Sequence, residues 1–250
     1  MGTSHNLGQG FAKSFKINFI GRNEKISLPW QNSWGISTRL IGALVMVHGD
    51  DKGLVLPPRV ALNKIVIIPI ISKEGKEKIL KKAREMISKL KAFNPILDDR
   101  EDYSAGWKFN EWELKGIPLR LEIGPKDLEK KQVVIVRRDN HKKEFVKELN
   151  LDKFIQKTLD DMQDDMYKKS RNFTLKSIVE VNNMDELKKA IMNKKIALGY
   201  LCDSEKCEEN IKDKAGAKTL NIPFEQPKDL ESCISCGKKA SYQVRIAKSY

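Results

Sequence analysis

Long apolar runs are missing from this 250-residue chain. None approaches the roughly 20 consecutive apolar residues of a membrane-spanning helix, so a helical membrane anchor is not expected. A basic start followed by an apolar core is also missing, because the N-terminus is polar, and no secretory signal is expected. Cysteine is scarce. All 4 cysteines lie in the last fifth of the chain, from Cys202 to Cys236. A disulfide-stapled secreted protein usually spreads its cysteines differently, so the reducing cytoplasm is the expected compartment. Acidic side chains are in deficit, 34 Asp and Glu against 47 Lys and Arg, for a formal charge of +13. That balance favours nucleic acid or anionic surfaces. Lysines beside Glu or Asp on helices also make an ordinary solvated face. A hydrophobic content of 40% is enough for more than one core.

The most informative stretch runs from Trp30 to Pro58. Polar and aromatic residues come first, then Ser37-Thr38-Arg39 after a glycine. The apolar run Leu40 to Val47 predicts a buried helix with Arg39 at its mouth. His48 to Gly53 is a turn by composition. Leu54 to Leu56 predicts a short strand stopped by Pro57-Pro58. A guanidinium in such a place suits a planar anion or phosphate, being rigid and always charged. Taken alone, Arg39 reads first as a surface residue ahead of a core helix.

Before this stretch, Phe15 to Phe19 alternates as a strand and Gly21-Arg22-Asn23 turns. After it, Lys64 to Ile70 reads as a buried parallel strand. Gly75 to Ala92 carries Ile79, Leu80, Ala83, Met86, Ile87 and Leu90 at helical spacing. Ile96 to Asp99, Leu119 to Ile123 and Val133 to Val136 read as strands. The order argues for an α/β domain with helices packed on a mixed sheet, at about Lys64 to Phe145. Inside it, Gly106 to Glu129 mixes aromatic and charged residues. Aromatic side chains stack on unpaired bases and charged ones read base edges. For Trp107 and Trp112 a plain core role is the expectation. Leu151, Ile155, Leu159, Met162 and Met166 predict a connecting helix. Asn183 with Glu186 three residues on predicts a capped helix start. Ile196 to Leu201 predicts a strand leading to the first cysteine. Cys202-x4-Cys207 and Cys233-x2-Cys236 suit one tetrahedral Zn²⁺ held by four thiolates, a closed structural site. A redox pair at Cys233 and Cys236 is the alternative, and it leaves Cys202 and Cys207 unexplained.

Residues 35–43, G-I-S-T-R-L-I-G-A, and 46–58, M-V-H-G-D-D-K-G-L-V-L-P-P, closely resemble motif 3 of a class II aminoacyl-tRNA synthetase. The likeness is to prolyl-tRNA synthetases of the archaeal and eukaryotic type. The start, T-S-H-N-L-G-Q from Thr3 to Gln9, resembles the same family. The resemblance implies that Arg39 contacts ATP as a catalytic group and that Ser37 and Thr38 line the nucleotide and proline pockets. It implies that Thr3 and His5 lie against the proline pocket, and that ATP acts with Mg²⁺. Motifs 1 and 2 of the family are not present, nor is the motif 2 arginine that holds the α-phosphate. Met1 is therefore expected to be an internal methionine of a longer protein or the start of a split gene.

The block from Gly106 to Glu129 resembles the family's anticodon-binding domain. By that resemblance Phe109 stacks a base, Glu113 accepts from guanine, and Arg120, Lys126 and Asp127 complete the reading of the anticodon. The cysteine spacing matches a C-terminal zinc-binding domain, and the terminal Tyr250 matches a residue that reaches back toward the active site. The implied fold is multidomain, α/β and α+β. Residues 1–62 form part of an antiparallel synthetase core, 63–146 an α/β anticodon-binding domain, 147–172 a connecting helix, and 173–250 a small α+β zinc-binding domain. The implied activity is ligation of proline to tRNA(Pro). The complete enzyme is expected to be a homodimer, or a second chain supplies motifs 1 and 2. Half a core is expected to expose apolar faces and strand edges. The alternative is a non-catalytic tRNA-binding accessory protein.

Overall fold

A parallel strand buried on both faces sits at the centre of the larger part of the fold. The computed structural model describes residues 2–71 and 75–248. Met1 and Tyr250, both singled out above, lie outside them. The chain divides into two compact units, residues 1–166 and 167–250.

In the first unit, β1 (Gly2–Gly8) is followed by α1 (Gly10–Ser14), β2 (Phe19–Ile20), β3 (Ile26–Ser27), β4 (Gln31–Ile36) and α2 (Arg39–His48). The strands form two antiparallel two-stranded sheets, β1 with β4 and β2 with β3. Of the strand expected from Phe15 to Phe19, only Phe19 is in a strand, because the pairing reaches only the two residues next to the turn. The pair β1–β4 was not foreseen, since neither strand is apolar. The run Leu40 to Val47 does form a helix, but none of its residues is buried. The expectation of a buried helix is corrected: Leu40, Ile41, Val45, Met46 and Val47 are exposed. Two-stranded sheets give too little surface to pack against. Ala12 is the one buried side chain among residues 2–50.

Leu54 to Leu56 is extended but belongs to no sheet, which corrects the expected strand. Its amides bond instead to the end of α4 (Ala105–Lys115), Leu54 N–H to the Leu114 carbonyl at 3.0 Å and Leu56 N–H to that of Gly116 at 3.2 Å. Helix ends carry carbonyls without intrahelical partners, and this segment satisfies one of them and the carbonyl of Gly116, which caps the helix. Two glycines make the approach feasible. A Cβ on Gly53 would fall 2.6 Å from Leu114 Cα, and one on Gly116 would fall 2.5 Å from Leu54 Cβ. Both have positive φ, +128° and +74°.

The remaining elements of this unit are β5 (Ile65–Pro69), α3 (Lys76–Lys89), β6 (Ile96–Leu97), α4, β7 (Leu119–Ile123), α5 (Pro125–Glu129), β8 (Gln132–Arg137), β9 (Lys143–Lys147) and the start of α6 (Leu151–Ser177). They build a five-stranded mixed sheet in the order β6-β5-β7-β8-β9. The strand β5 is parallel to β6 and β7, and the pairs β7–β8 and β8–β9 are antiparallel. Side chains alternate between faces along a strand. Ile65 and Ile67 face Ile79, Ala83, Met86 and Leu90 of α3 and Leu151, Ile155 and Leu159 of α6. Val66 and Ile68 face the other way, against Ile117, Phe109 and Trp112. Two covered faces explain the unbroken β-branched run, since each fully buried Ile or Val contributes about 1.5–3 kcal/mol.

In the second unit, β10 (Ile178–Glu180), α7 (Met184–Met192), β11 (Ile196–Leu201), α8 (Glu205–Ala215), β12 (Lys218–Asn221) and β13 (Tyr242–Ala247) follow the end of α6. The sheet order is β10-β11-β13-β12. Asn183 caps α7 as expected, its side-chain oxygen accepting from the amides of Asp185 and Glu186. Val181, Leu187, Ala197, Leu201, Ile211, Val244 and Ile246 form the core with Cys207 and Cys233. No described helix is long and apolar enough to cross a membrane.

Candidate functional site

Two clusters of side chains stand out, one on each unit. The first lies where α4 meets the face of β7 opposite α3. Residues 109 and 113 are one helical turn apart and share a side of α4. Residues 120 and 122 share one face of β7. The Arg120 guanidinium donates from Nη1 to Glu113 Oε1 at 2.9 Å and from Nε to Glu122 Oε1 at 3.0 Å. It also lies 4.1 Å from the centre of the Phe109 ring, a cation–π contact. Lys143 Nζ donates to Glu122 Oε2 at 3.2 Å. Lys52 Nζ stands 3.6 Å from Glu113 Oε2, and His141 Nδ1 stands 3.9 Å from Glu113 Oε1. Burial works against the charge on Glu113, but the hydrogen bond from Arg120 and the charges of Arg120 and Lys52 outweigh it and hold the carboxyl below its ordinary range. Glu113 is therefore an anion at neutral pH and offers acceptors only.

The structure thus brings together three of the five residues expected to read an anticodon. Lys126 and Asp127 stand apart on α5. Lys126 is exposed, and Asp127 caps the helix, its Oδ2 accepting the Gly124 amide at 3.0 Å. Lys52, Glu122, His141 and Lys143 joined the cluster unannounced. The Arg120–Glu122 pair has a signal in the sequence, their spacing of two on a strand. Lys52 and His141 have none, since only the tertiary fold sets them beside Glu113. A bidentate pair holds Lys52 in place from nearby: Arg138 donates from Nη1 to Asp50 Oδ2 at 2.7 Å and from Nη2 to Asp50 Oδ1 at 2.6 Å. The tryptophans divide. Trp112 is partly buried against Val66 and Ile68 and donates to Asp98 Oδ2 at 2.7 Å. Trp107 is 44% exposed and stacks on Tyr103, which corrects the expectation that it is core. It sits on the flank of α4 that faces away from the sheet.

The second cluster is the four cysteines. Cys202 follows β11, Cys207 lies in the first turn of α8, and Cys233 and Cys236 flank a tight turn before β13. In that turn the Gly237 amide donates to the Cys233 carbonyl at 2.8 Å and Gly237 has φ +72°. The sulfurs of Cys202 and Cys207 are 3.5 Å apart, those of Cys202 and Cys236 3.7 Å, and all four lie within 4.8 Å of one another. Four sulfurs about 2.3 Å from a central zinc would be about 3.8 Å apart, so the set fits such an ion. Asn210 on α8 ties the turn down, donating to Ser235 Oγ at 2.8 Å. Burial opposes ionisation of Cys233, yet the backbone hydrogen bonds of Cys202, Cys236 and Ser235 bring its thiol down to about 7. Its hydrogen bond to Cys207 pushes Cys202 up to about 12.

The residues expected around ATP and proline are all exposed. Thr3 pairs with Gly35 and His5 with Ser33 across the β1–β4 ladder. Ser37 and Thr38 precede α2, and Arg39 is its first residue. Thr38 and Arg39 are thus brought to the end of a helix whose N-terminal dipole favours an anion.

Residues 64–160 match the family described as "Anticodon binding domain", and residues 184–250 match the family described as "Prolyl-tRNA synthetase, C-terminal". Along its whole length the chain is 46% identical to the proline–tRNA ligase of Natranaerobius thermophilus, covering 52% of that protein. It is 43% identical to the proline–tRNA ligase of Alkaliphilus oremlandii and 42% identical to that of Oceanobacillus iheyensis, again covering 52% of each. The chain spans about half the length of the curated relatives it matches. These matches show that it carries an anticodon-binding domain and a prolyl-tRNA synthetase C-terminal domain.

Proposed function

We propose that this chain works as the C-terminal half of a proline–tRNA ligase, with the cluster of Phe109, Glu113 and Arg120 reading the anticodon of tRNA(Pro). The observation that carries the reading is the match to proline–tRNA ligases over the whole chain. The geometry supports it. Glu113 is a fixed anion with two acceptor oxygens, suited to the N–H groups of a guanine. Phe109 is partly exposed beside Arg120, and a base would stack on the part of the ring left open. Lys126 and Asp127 would act from α5, on the phosphates or on a neighbouring base. An accessory RNA-binding role without ligation is not favoured, because the relatives matched along the full chain are named as ligases.

In the complete enzyme the proline carboxylate attacks the α-phosphorus of ATP and displaces pyrophosphate. A terminal hydroxyl of the tRNA then attacks the adenylate carbonyl and displaces AMP. Arg39 would hold the nucleotide, with Ser37 and Thr38 beside it and Thr3 and His5 toward the proline. Mg²⁺ accompanying the ATP would screen the phosphate charge. The division proposed is a partial catalytic domain at 1–62, the anticodon-binding domain at 63–146, a connecting helix at 147–172 and the C-terminal domain at 173–250. Cys202, Cys207, Cys233 and Cys236 would hold a structural Zn²⁺, whose contribution is a cross-link between β11, α8 and the turn before β13. Four reduced thiols suit a cytoplasmic setting, and the whole ligase is proposed to act as a homodimer.

The test is binding of tRNA(Pro) and of tRNAs with unrelated anticodons across a range of salt. Log K is expected to fall steeply with log salt. Arg120→Ala is expected to cost roughly 1–3 kcal/mol and to relax the preference for the proline anticodon. Equal affinity of the parent chain for all the tRNAs would sink the specific reading.

A further inference from the structure

The outer flank of α4 carries a second arrangement that the Glu113 cluster does not use. A crevice of about 260 Å³ opens at the carboxyl ends of β5 and β6, lined by Pro69, Ile71, Arg100, Tyr103, Ser104 and Lys108 among others. The chain leaves β5 through α3, on the face of Ile65 and Ile67, and leaves β6 through α4, on the face of Val66 and Ile68. Ligands of such sheets sit outside the carboxyl ends of the strands, which is where this crevice opens. The volume lies below the roughly 300–1,000 Å³ of pockets that enclose a whole small molecule. It suits one flat ring system.

The walls suit the same guest. Tyr103 is stacked on Trp107, centroids 3.9 Å apart and planes 19° from parallel, and both rings are about two-fifths exposed. The Arg100 guanidinium lies 4.9 Å from the Tyr103 ring and 5.3 Å from that of Trp107. Two carboxylates hold Arg100 rigidly: Asp98, at 2.8 Å from both Nε and Nη2, and Glu111. Among the described residues, Nη1 is its donor nitrogen without such a bond. Lys108 is 2% exposed and rests on the Asp98 carbonyl at 3.3 Å. An exposed aromatic pair costs hydrophobic free energy in water that a stacked base would recover. The donors of Arg100 and Lys108 would meet the carbonyl or ring acceptors of that base.

We propose that this crevice is a second nucleobase site, which seats one unpaired base of the bound RNA against the Tyr103–Trp107 pair. The site rests on the RNA-binding reading above but is separate from the anticodon cluster in both residues and place. It holds a base with little regard to sequence, because stacking is available to every base.

The experiment titrates the chain with two RNAs, a hairpin carrying the proline anticodon loop and an unstructured oligouridylate, and follows fluorescence anisotropy. The variants are Tyr103→Ala, Tyr103→Leu, Tyr103→Phe and Arg120→Ala, each checked for its fold by circular dichroism. Tyr103→Ala and Tyr103→Leu are expected to weaken both RNAs about 5- to 150-fold, the worth of one stacked base. Tyr103→Phe is expected to bind as the parent does. Arg120→Ala is expected to weaken the hairpin alone. Parental affinity for both RNAs in Tyr103→Leu or Tyr103→Ala overturns the site. A Tyr103-dependent quench of tryptophan fluorescence by free AMP, with RNA affinity indifferent to Tyr103, overturns the RNA assignment in favour of a free nucleotide. If Arg120→Ala is silent while the Tyr103 variants still lose both RNAs, the anticodon reading falls and the second site stands.

Discussion

Asp98 shows how much a single buried charge organises here. It is 3% exposed and accepts from Arg100 and from the Trp112 indole, with Lys108 Nζ 3.9 Å away. Burial alone would raise its pKa. The hydrogen bonds from Arg100 and Trp112 outweigh that and bring it to about 2. The unfolded value is about 3.9, so the folded state holds the proton less tightly. The stabilisation is therefore full above about pH 4 and fades as pH falls toward about 2, and it is worth about 2 kcal/mol. Asp98→Asn leaves the buried Lys108 without its carboxylate and Arg100 with Glu111 alone, and it is expected to cost about 2–5 kcal/mol at neutral pH. The variant should also lose less stability than the parent between about pH 5 and pH 3. Urea denaturation of both proteins at the two ends of that range measures the difference. An Asp98→Asn chain as stable as the parent at neutral pH would show that the network is ornamental.

At the scale of elements, the turn that carries Cys233 and Cys236 is held by Asn210 and by the Ile234 amide, which donates to the Tyr200 carbonyl of β11 at 3.0 Å. The knuckle Ile234 packs on β11 so closely that a Cβ on Gly199 would lie 3.2 Å from its Cδ1. Zinc binding to such a thiolate set is worth on the order of 10–16 kcal/mol in small peptides. Cys233→Ser is expected to lower the zinc content and to loosen β11, α8 and the turn, leaving the five-stranded sheet of the first unit folded. Elemental analysis and hydrogen exchange check this. Zinc near zero in the parent, with all four thiols titratable, would remove the site. The elements themselves differ in how well their residues announce them. The β5 run, the α3 periodicity, the Asn183 cap and the cysteine spacing are local patterns, and each leads to the observed element. The β1–β4 pair has no apolar alternation, because neither face of it is covered. Leu54 to Leu56 has a strand's composition and bonds at every second residue, but its partner is a helix end. Trp107 and Trp112 look alike in sequence. Their environments differ because position 112 points to the sheet and position 107 away from it, and the placement of Arg100 and Tyr103 decides the rest.

The molecule as a whole is unevenly finished. Residues 64–166 and 178–247 have proper cores, whereas Phe15, Trp30, Trp34, Ile36 and the apolar side of α2 face solvent. Arg39, Thr38, Thr3 and His5 share that exposure, so nothing among the described residues excludes water from a nucleotide placed there. Proline-dependent ATP–pyrophosphate exchange by the chain alone is expected to stay at background. Exchange well above it would mean that the exposed half-site closes on its substrates unaided. The clamp between Asp50 and Arg138 gives this unevenness a dimension in time. Its partners are 88 residues apart in the chain. A ribosome adding roughly 5–20 residues per second needs about 4–18 s to pass from one to the other. During that interval the greasy stretch before Asp50 has been made while its anchor has not. The nascent chain therefore offers chaperones a predictable window, set by the distance between two codons.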